Sequence, residues 1–474
     1  MIVGIFQSLR RDVQQTGAAG IALLFLFVGV VTNRYRYEAI PFRPHNEHFA
    51  ILFALGILAW LVWQKRARIV FLWTDALLIA YLGVALVSAF LFPPDARDSV
   101  SYWARMVLAV VVYFAARALM TGTARAIAFR FVLKMLLVFG VLEALYGIAS
   151  WFLYPFGINL GVDEYPLGVR GPGGILCNFS LTMYGTLWEP NVFGSTLMVV
   201  ILVGAVLFVS NEFASWRRAL GIALAVMLGA LALNASRGAF LALLFGLAFI
   251  VLFARGMNLT QKLKWAGAAG LLILAVYVPS QEISRGLMNM PGAPGLAQRA
   301  PCAEWMAKGM PRGTQTGDPE FDPSTGPESD LNVAKRLLEG QTLTSRWVSY
   351  KNAWDDFLQK PLLGNGPNSF GQKYTTTART EGWISNLILM ALHDTGIVGT
   401  TLLLAWFGVF VYKIFRAWHH AAVSSQRTLV FALGIGLVCL FVAYQVTTML
   451  WFGFMWFLLA ALEQGAVSLK QEAK

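Results

Sequence analysis

Long apolar runs separated by short polar joints dominate the chain, and twelve of them approach the ~20 residues an α-helix needs to cross roughly 30 Å of hydrocarbon. They fall at 14–32, 47–63, 72–92, 101–120, 128–153, 190–210, 217–235, 238–254, 264–280, 385–412, 428–448 and 450–468. The pairs within 217–254 and 428–468 are joined by very short turns. The expected fold is all-α, a polytopic membrane protein of about 12 transmembrane helices. The pattern breaks once, between about Gln281 and Ile384, where a long polar interval follows the ninth run. That break divides the chain into helices 1 to 9 over residues 1–280, a loop subdomain with short helices over 281–384, and helices 10 to 12 over 385–474.

The interval itself has two textures. Its first part, around 286–330, is rich in Pro, Gly and small polar residues, which predicts irregular structure compatible with a lid or with simple filler. In its second part Trp347, Tyr350, Trp354 and Phe357 recur at i, i+3, i+7 and i+10, which predicts a helix with an aromatic stripe laid on the membrane or on the bundle. A cap at Thr344 or Ser345 would put Arg346 in the first turn, where free N–H groups already make the site electropositive and a cation calls for an anion. The PLLGNGPNSF segment at 361–370 then demands turns.

Composition sharpens this picture. With 57% hydrophobic and 13% charged residues and a mean hydropathy of +0.61, the chain is no soluble domain. The 37 basic and 25 acidic residues give a formal charge of +12, but the cations sit in small groups beside apolar runs, which suits anionic membrane lipids and not nucleic acid. Arg10, Arg11, Lys65, Arg66, Arg68, Arg117, Arg125, Arg217, Arg218, Lys413 and Arg416 fall on one side of a twelve-span topology. Both termini are then expected in the cytoplasm and the 281–384 interval outside. Cys177, Cys302 and Cys439 have no metal-ligand spacing, so neither a metal nor another cofactor is expected. Only Lys134, Glu143, His393 and Asp394 read as intramembrane charges, few for a carrier lined with ionisable groups.

The residues with chemical promise are outward-facing arginines. Arg237 lies in a tight outer turn, Arg346 on the aromatic helix, and Arg105 about one turn into the fourth span. Arg237 and Arg105 could instead snorkel to headgroups, and Arg346 could be solvated or pair with Asp355, Asp356 or Glu381. Two planar guanidiniums at that depth would suit the diphosphate of a lipid, each binding phosphate oxygens in bidentate fashion.

At this point GTLWEPNVFGS at 185–195, SRGAFLALL at 236–244, SRW at 345–347, PLLGNGPNSF at 361–370 and NLILMALHDTGIVGTTLLL at 386–404 together resemble the O-antigen ligase and O-antigen polymerase superfamily. The resemblance covers about 185–410. It implies a bacterial inner-membrane glycosyltransferase that takes a glycan from an undecaprenyl-diphosphate-linked oligosaccharide on the periplasmic side, without a metal. The acceptor is a glycan or lipid: the lipid A core for a ligase, another lipid-linked repeat unit for a polymerase, or a protein hydroxyl in a related branch. Carried over residue by residue, the resemblance makes Arg237 and Arg346 diphosphate-binding, and Asn386, Gly396 and Gly399 part of a helix motif that normally follows a histidine.

Here the pattern is broken, because Ser385 stands where that histidine should be. A serine hydroxyl is no general base near neutral pH. Candidates for a relocated base rank as Glu189, an acid at the outer start of a span, then His48, then His393. The expected chemistry is an inverting displacement, with Arg237 and Arg346, helped by Arg105, holding the leaving diphosphate. Asn386 and Ser385 would line the site, and Trp347, Trp354, Trp383 and Tyr374 could stack on sugars or anchor at the lipid interface. Loss of the histidine favours a repeat-unit polymerase over a ligase. A lipid-linked oligosaccharide flippase is the alternative of another class.

Overall fold

The protein, seen in a computed structural model, is described over residues 10–32, 45–64, 71–121, 125–156, 158, 160–166, 179–187, 189–234, 236–253, 258–288, 340–374, 384–420, 425–447, 450 and 452–472. Its helices are α1 (Ala18–Val31), α2 (Asn46–Trp63), α3 (Trp73–Leu91), α4 (Ala96–Leu119) and α5 (Arg125–Leu153). A short antiparallel hairpin comes next, β1 (Val162–Pro166) on β2 (Phe179–Met183), with Val162 opposite Met183. Then come α6 (Pro190–Val209), α7 (Arg217–Asn234), α8 (Arg237–Phe253) and α9 (Leu259–Met288). After the long interval lie α10 (Gly340–Gln359), α11 (Ser369–Tyr374), α12 (Leu387–His420), α13 (Ser425–Ala443) and α14 (Gly453–Glu472). The fold is helical as expected, and among the described residues the hairpin is its one addition.

Among the described residues nine helices are long and apolar enough to cross a membrane. A tenth results if Arg10–Thr16 and Ala18–Val31, bent by 120° about Gly17, count as one span; Arg237–Phe253 and Gly453–Leu469 are apolar but shorter. The expected count of about twelve therefore stands at nine or ten by length. The first part of the 281–384 interval and Trp383 lie outside the described residues, and α9 runs on to Met288, past the expected boundary at 280.

Burial separates central from peripheral helices. Apolar on every side, α6 has 94% of its spanning window buried against α7, α8 and α13. The spanning window of α9 is only 6% buried, so its apolar residues face lipid.

The expectation of only four intramembrane charges is overturned. Asp75 on α3, Arg117 on α4 and Glu463 on α14 are buried together: Arg117 Nη1 lies 2.5 Å from Asp75 and 3.3 Å from Glu463. Tyr113 donates its hydroxyl to Glu463, and Lys413 of α12 reaches Glu463 at 3.2 Å and Thr74 at 3.0 Å. Two acids and two bases thus cancel inside the bundle and join four helices, which is how buried charges are tolerated. Lys134 is likewise paired, with Asp12 at 2.6 Å. These residues are far apart in sequence, so no local pattern announces the cluster.

Candidate active site

The site end is organised by a break in α12. Gly396 adopts φ 64 and ψ −167, a backbone region reserved in practice for glycine, and the helix bends there. An unbroken helix would pair the N–H groups of Ile397 and Val398 with the carbonyls of His393 and Asp394. Instead the 361–366 loop satisfies all four. Asn365 N donates to His393 O at 2.7 Å and Gly366 N to Asp394 O at 3.0 Å, while Ile397 N donates to Pro361 O at 2.8 Å and Val398 N to Leu362 O at 3.3 Å. Backbones meet so closely that a side chain on Gly364 would put its Cβ 2.6 Å from the backbone of Asp394. The Gly pattern of PLLGNGP is thus the complement of the Gly in HDTGIVG.

His393 fastens α10 to this junction. Its Nδ1 lies 2.8 Å from Asp394 Oδ1 and its Nε2 3.6 Å from Asp356 Oδ2, and the residue is 1% exposed. Asp356 also accepts from Lys373 Nζ at 2.5 Å and Tyr374 Oη at 3.2 Å. Burial alone would raise the Asp356 carboxyl, but the bonds from His393 and Lys373 outweigh it and hold the group below its ordinary value. The bond to Asp356 in turn raises Lys373. With both ring nitrogens turned to carboxylates and no open face, His393 joins two helices and does not present itself to a substrate.

Arg346 lies on the packed face of α10, with Ser349, Tyr350, Ala353 and Phe357 one to three turns along. The helix starts at Gly340, so Arg346 sits in its second turn and not in the expected first. The aromatic stripe is divided: Phe357 is 6% exposed, whereas Trp347 is 70% and Trp354 47% exposed on the adjoining edge. That edge continues through exposed Leu358 and Leu362 to exposed Ile397 and Val398 on α12.

From Arg346 a short path leads to Arg237. Tyr350, one turn after Arg346, places its hydroxyl 3.2 Å from the Ser385 hydroxyl, which is buried. Next in the chain, Asn386 caps α12 through Leu389 N at 2.9 Å and donates to Gln445 O at 3.1 Å; Leu387 N bonds Tyr444 O at 2.9 Å. The adjoining Val446 packs against Gly238, where an added Cβ would collide with it. Arg237 is the first residue of α8, so it is Arg237, and not Arg346, that stands at a helix N-terminus. Beside it Ser236 donates to Asn191 Oδ1 at 3.2 Å, and Glu189 accepts from Thr447 Oγ1 at 3.4 Å. Although Glu189 is the N-cap residue of α6, its carboxylate does not cap that helix. The turn before it is fixed by buried Glu143, which takes Thr186 N at 2.5 Å and Thr186 Oγ1 at 2.9 Å.

His48 and Arg105 belong to a neighbouring patch. His48 accepts the His45 backbone N–H on Nδ1 at 3.0 Å to close the N-terminus of α2. With that lone pair engaged, neutral His48 carries its proton on Nε2 and offers no second acceptor nitrogen, which argues against it as a base. Arg105 is exposed on α4 within electrostatic reach of His48, and among the described residues no contact joins it to Arg237 or Arg346. Sequence reasoning did not single out Thr447 and missed the partners of Tyr350 and Asp356. Only Tyr350 had a signal, its i+4 spacing from Arg346.

The class the fold defines is that of helical membrane proteins, with Arg346 and Arg237 on helices linked by the contacts just described. Residues 222–404 match the family model described as O-antigen ligase. Over that segment, about two-fifths of its length, the chain is similar to the O-antigen ligase family. No curated protein matches the chain. The matched segment holds Arg237, Arg346, Ser385, Asn386 and His393, while Glu189, His48 and Arg105 precede it.

Proposed function

We propose that the protein transfers glycan from an undecaprenyl-diphosphate carrier onto an acceptor hydroxyl at the periplasmic face of the bacterial inner membrane, as a repeat-unit polymerase of O-antigen or exopolysaccharide. The supporting observation is that Arg237 and Arg346, 109 residues apart by their numbers, lie at one end of the bundle on a continuous path of contacts through Tyr350, Ser385, Asn386 and Val446. Two guanidiniums there can grip one diphosphate and stabilise the charge that builds on it as the bond to the anomeric carbon breaks. The acceptor hydroxyl attacks from the opposite face, so the sugar inverts; its oxygen forms the new bond, and its proton passes to Glu189. That carboxylate does not cap its own helix and is half-exposed, as a base that meets substrate must be. Ser385 hydrogen-bonded to Tyr350, in place of an imidazole, favours the polymerase over the ligase reading.

One experiment tests this reading. Purified protein given a lipid-diphosphate-linked repeat unit should yield polymer of increasing length. Transfer to a lipid A core alone would make it a ligase, and unchanged carrier would refute the glycosyltransferase reading.

A further inference from the structure

Resting on the diphosphate reading above, we infer that Tyr350 and Ser385 form a positioning pair that sets the spacing between the two guanidiniums. Arg346 is not placed by the end of its own helix: the start of α10 lies six residues before it, and the preceding chain is part of the long polar interval. What fixes its height along the bundle is where α10 is fastened to α12. Polar links that do this among the described residues include Asp356 to His393, Asn365 between Asp356 O and His393 O, and Tyr350 to Ser385. Tyr350 is the nearer, a single turn from Arg346 on the same face, so a shift of that turn carries the guanidinium with it. Asp356 lies ten residues on, nearly three turns away, and any slack in the intervening turns is added to the position of Arg346.

Ser385 is a firm anchor because its neighbours in the chain are themselves held. Asn386 holds both the first turn of α12 and Gln445, and Leu387 N holds Tyr444 O. The 444–446 turn leans on Gly238, the residue after Arg237. The Tyr350 hydroxyl is thus a polar link by which this path crosses from the α10 side of the site to the α8 side. Removing it leaves the Arg346 side chain present but lets its turn drift. A grip made by two guanidiniums on two phosphates depends on their spacing, whereas a single guanidinium on a single phosphate does not.

Full-length protein in lipid nanodiscs should bind a short-chain prenyl diphosphate in preference to the corresponding monophosphate. In Tyr350→Phe, and separately in Ser385→Ala, that preference should fall about tenfold, near the upper range for loss of one hydrogen bond, with monophosphate affinity unchanged. The double variant should fall no further than either single one, since both remove the same link. Phe retains the ring packing, and an unchanged unfolding temperature would separate loss of spacing from loss of fold. If Arg346→Ala destroys the preference but Tyr350→Phe and Ser385→Ala keep it, the positioning pair is refuted while the diphosphate site stands. If Arg346→Ala itself keeps the preference, the diphosphate reading fails and takes this inference with it. Equal weakening of diphosphate and monophosphate in Tyr350→Phe would mark a merely structural hydroxyl and also overturn the pair.

Discussion

Replacing Gly396 by Ala gives opposite expectations from sequence and from structure. In a straight transmembrane helix, Gly→Ala should stabilise by about 0.5–1 kcal/mol, because the backbone of Gly loses more freedom on folding. In the folded protein the added Cβ would enter the backbone of Leu362 and Leu363, and φ 64 with ψ −167 is a conformation that Ala resists. The conformational strain alone is about 1–3 kcal/mol. Relieving the clash pulls apart the four backbone bonds between 361–366 and 393–398, each contributing about 1 kcal/mol. The expected loss is therefore about 3 kcal/mol or more, felt first in the 361–366 loop and the helix it anchors. Gly408, in the same helix with open space around its Cβ position, supplies the control: Gly408→Ala should be neutral or slightly stabilising. Denaturant unfolding in micelles, with limited proteolysis of the loop, reads both variants. Equal stability of Gly396→Ala and Gly408→Ala would refute the interlocked junction.

Arg237→Ala, Arg346→Ala and even Arg→Lys at either position should abolish chain growth without loss of protein from the membrane, because a lysine cannot replace a bidentate fork; sustained growth in both Lys variants would remove the diphosphate role. Glu189→Gln should lower turnover by about 10² or more while sparing carrier binding, and a fully active variant would exclude it as the base. The Asp356 anchor contributes stability that is present above the unfolded carboxyl value of about 3.9 and is lost as pH falls through its lower folded value. Lys373, being raised, contributes below its unfolded value of about 10.4 and loses this as pH rises through its folded one. Protease resistance of the 361–374 segment should therefore fall in strong acid and in strong base, and Asp356→Asn should remove the acid limb. An acid limb that persists in Asp356→Asn would remove Asp356 from the anchor.

Several residues of the candidate site could be named from the sequence alone. Arg237, Arg346 and Glu189 could be singled out because a charge at the edge of hydrocarbon is costly and needs a reason. Trp347 and Trp354 could be placed at an interface, though not assigned between sugar and lipid, because periodicity says which residues share a face but not what covers it. Tyr350 was counted as one ring of a stripe, since its hydroxyl partner lies 35 residues away. His393 looked like a displaced base until the two carboxylates around it were seen. The buried cluster of Asp75, Arg117, Lys413 and Glu463 was invisible for the same reason: each charge stood near the end of an apolar run or within one, and only packing made them neighbours.

Local chemistry determined the apolar spans, the polar interval and the glycine-bearing turns, because span length and turn geometry depend on consecutive residues. Tertiary structure alone decided that Gly396 breaks α12, that the broken ladder is completed by the 361–366 loop, and that Tyr350 meets Ser385. Those pairings are between groups distant along the chain, where hydrogen-bond satisfaction and close backbone approach, not periodicity, select the partner.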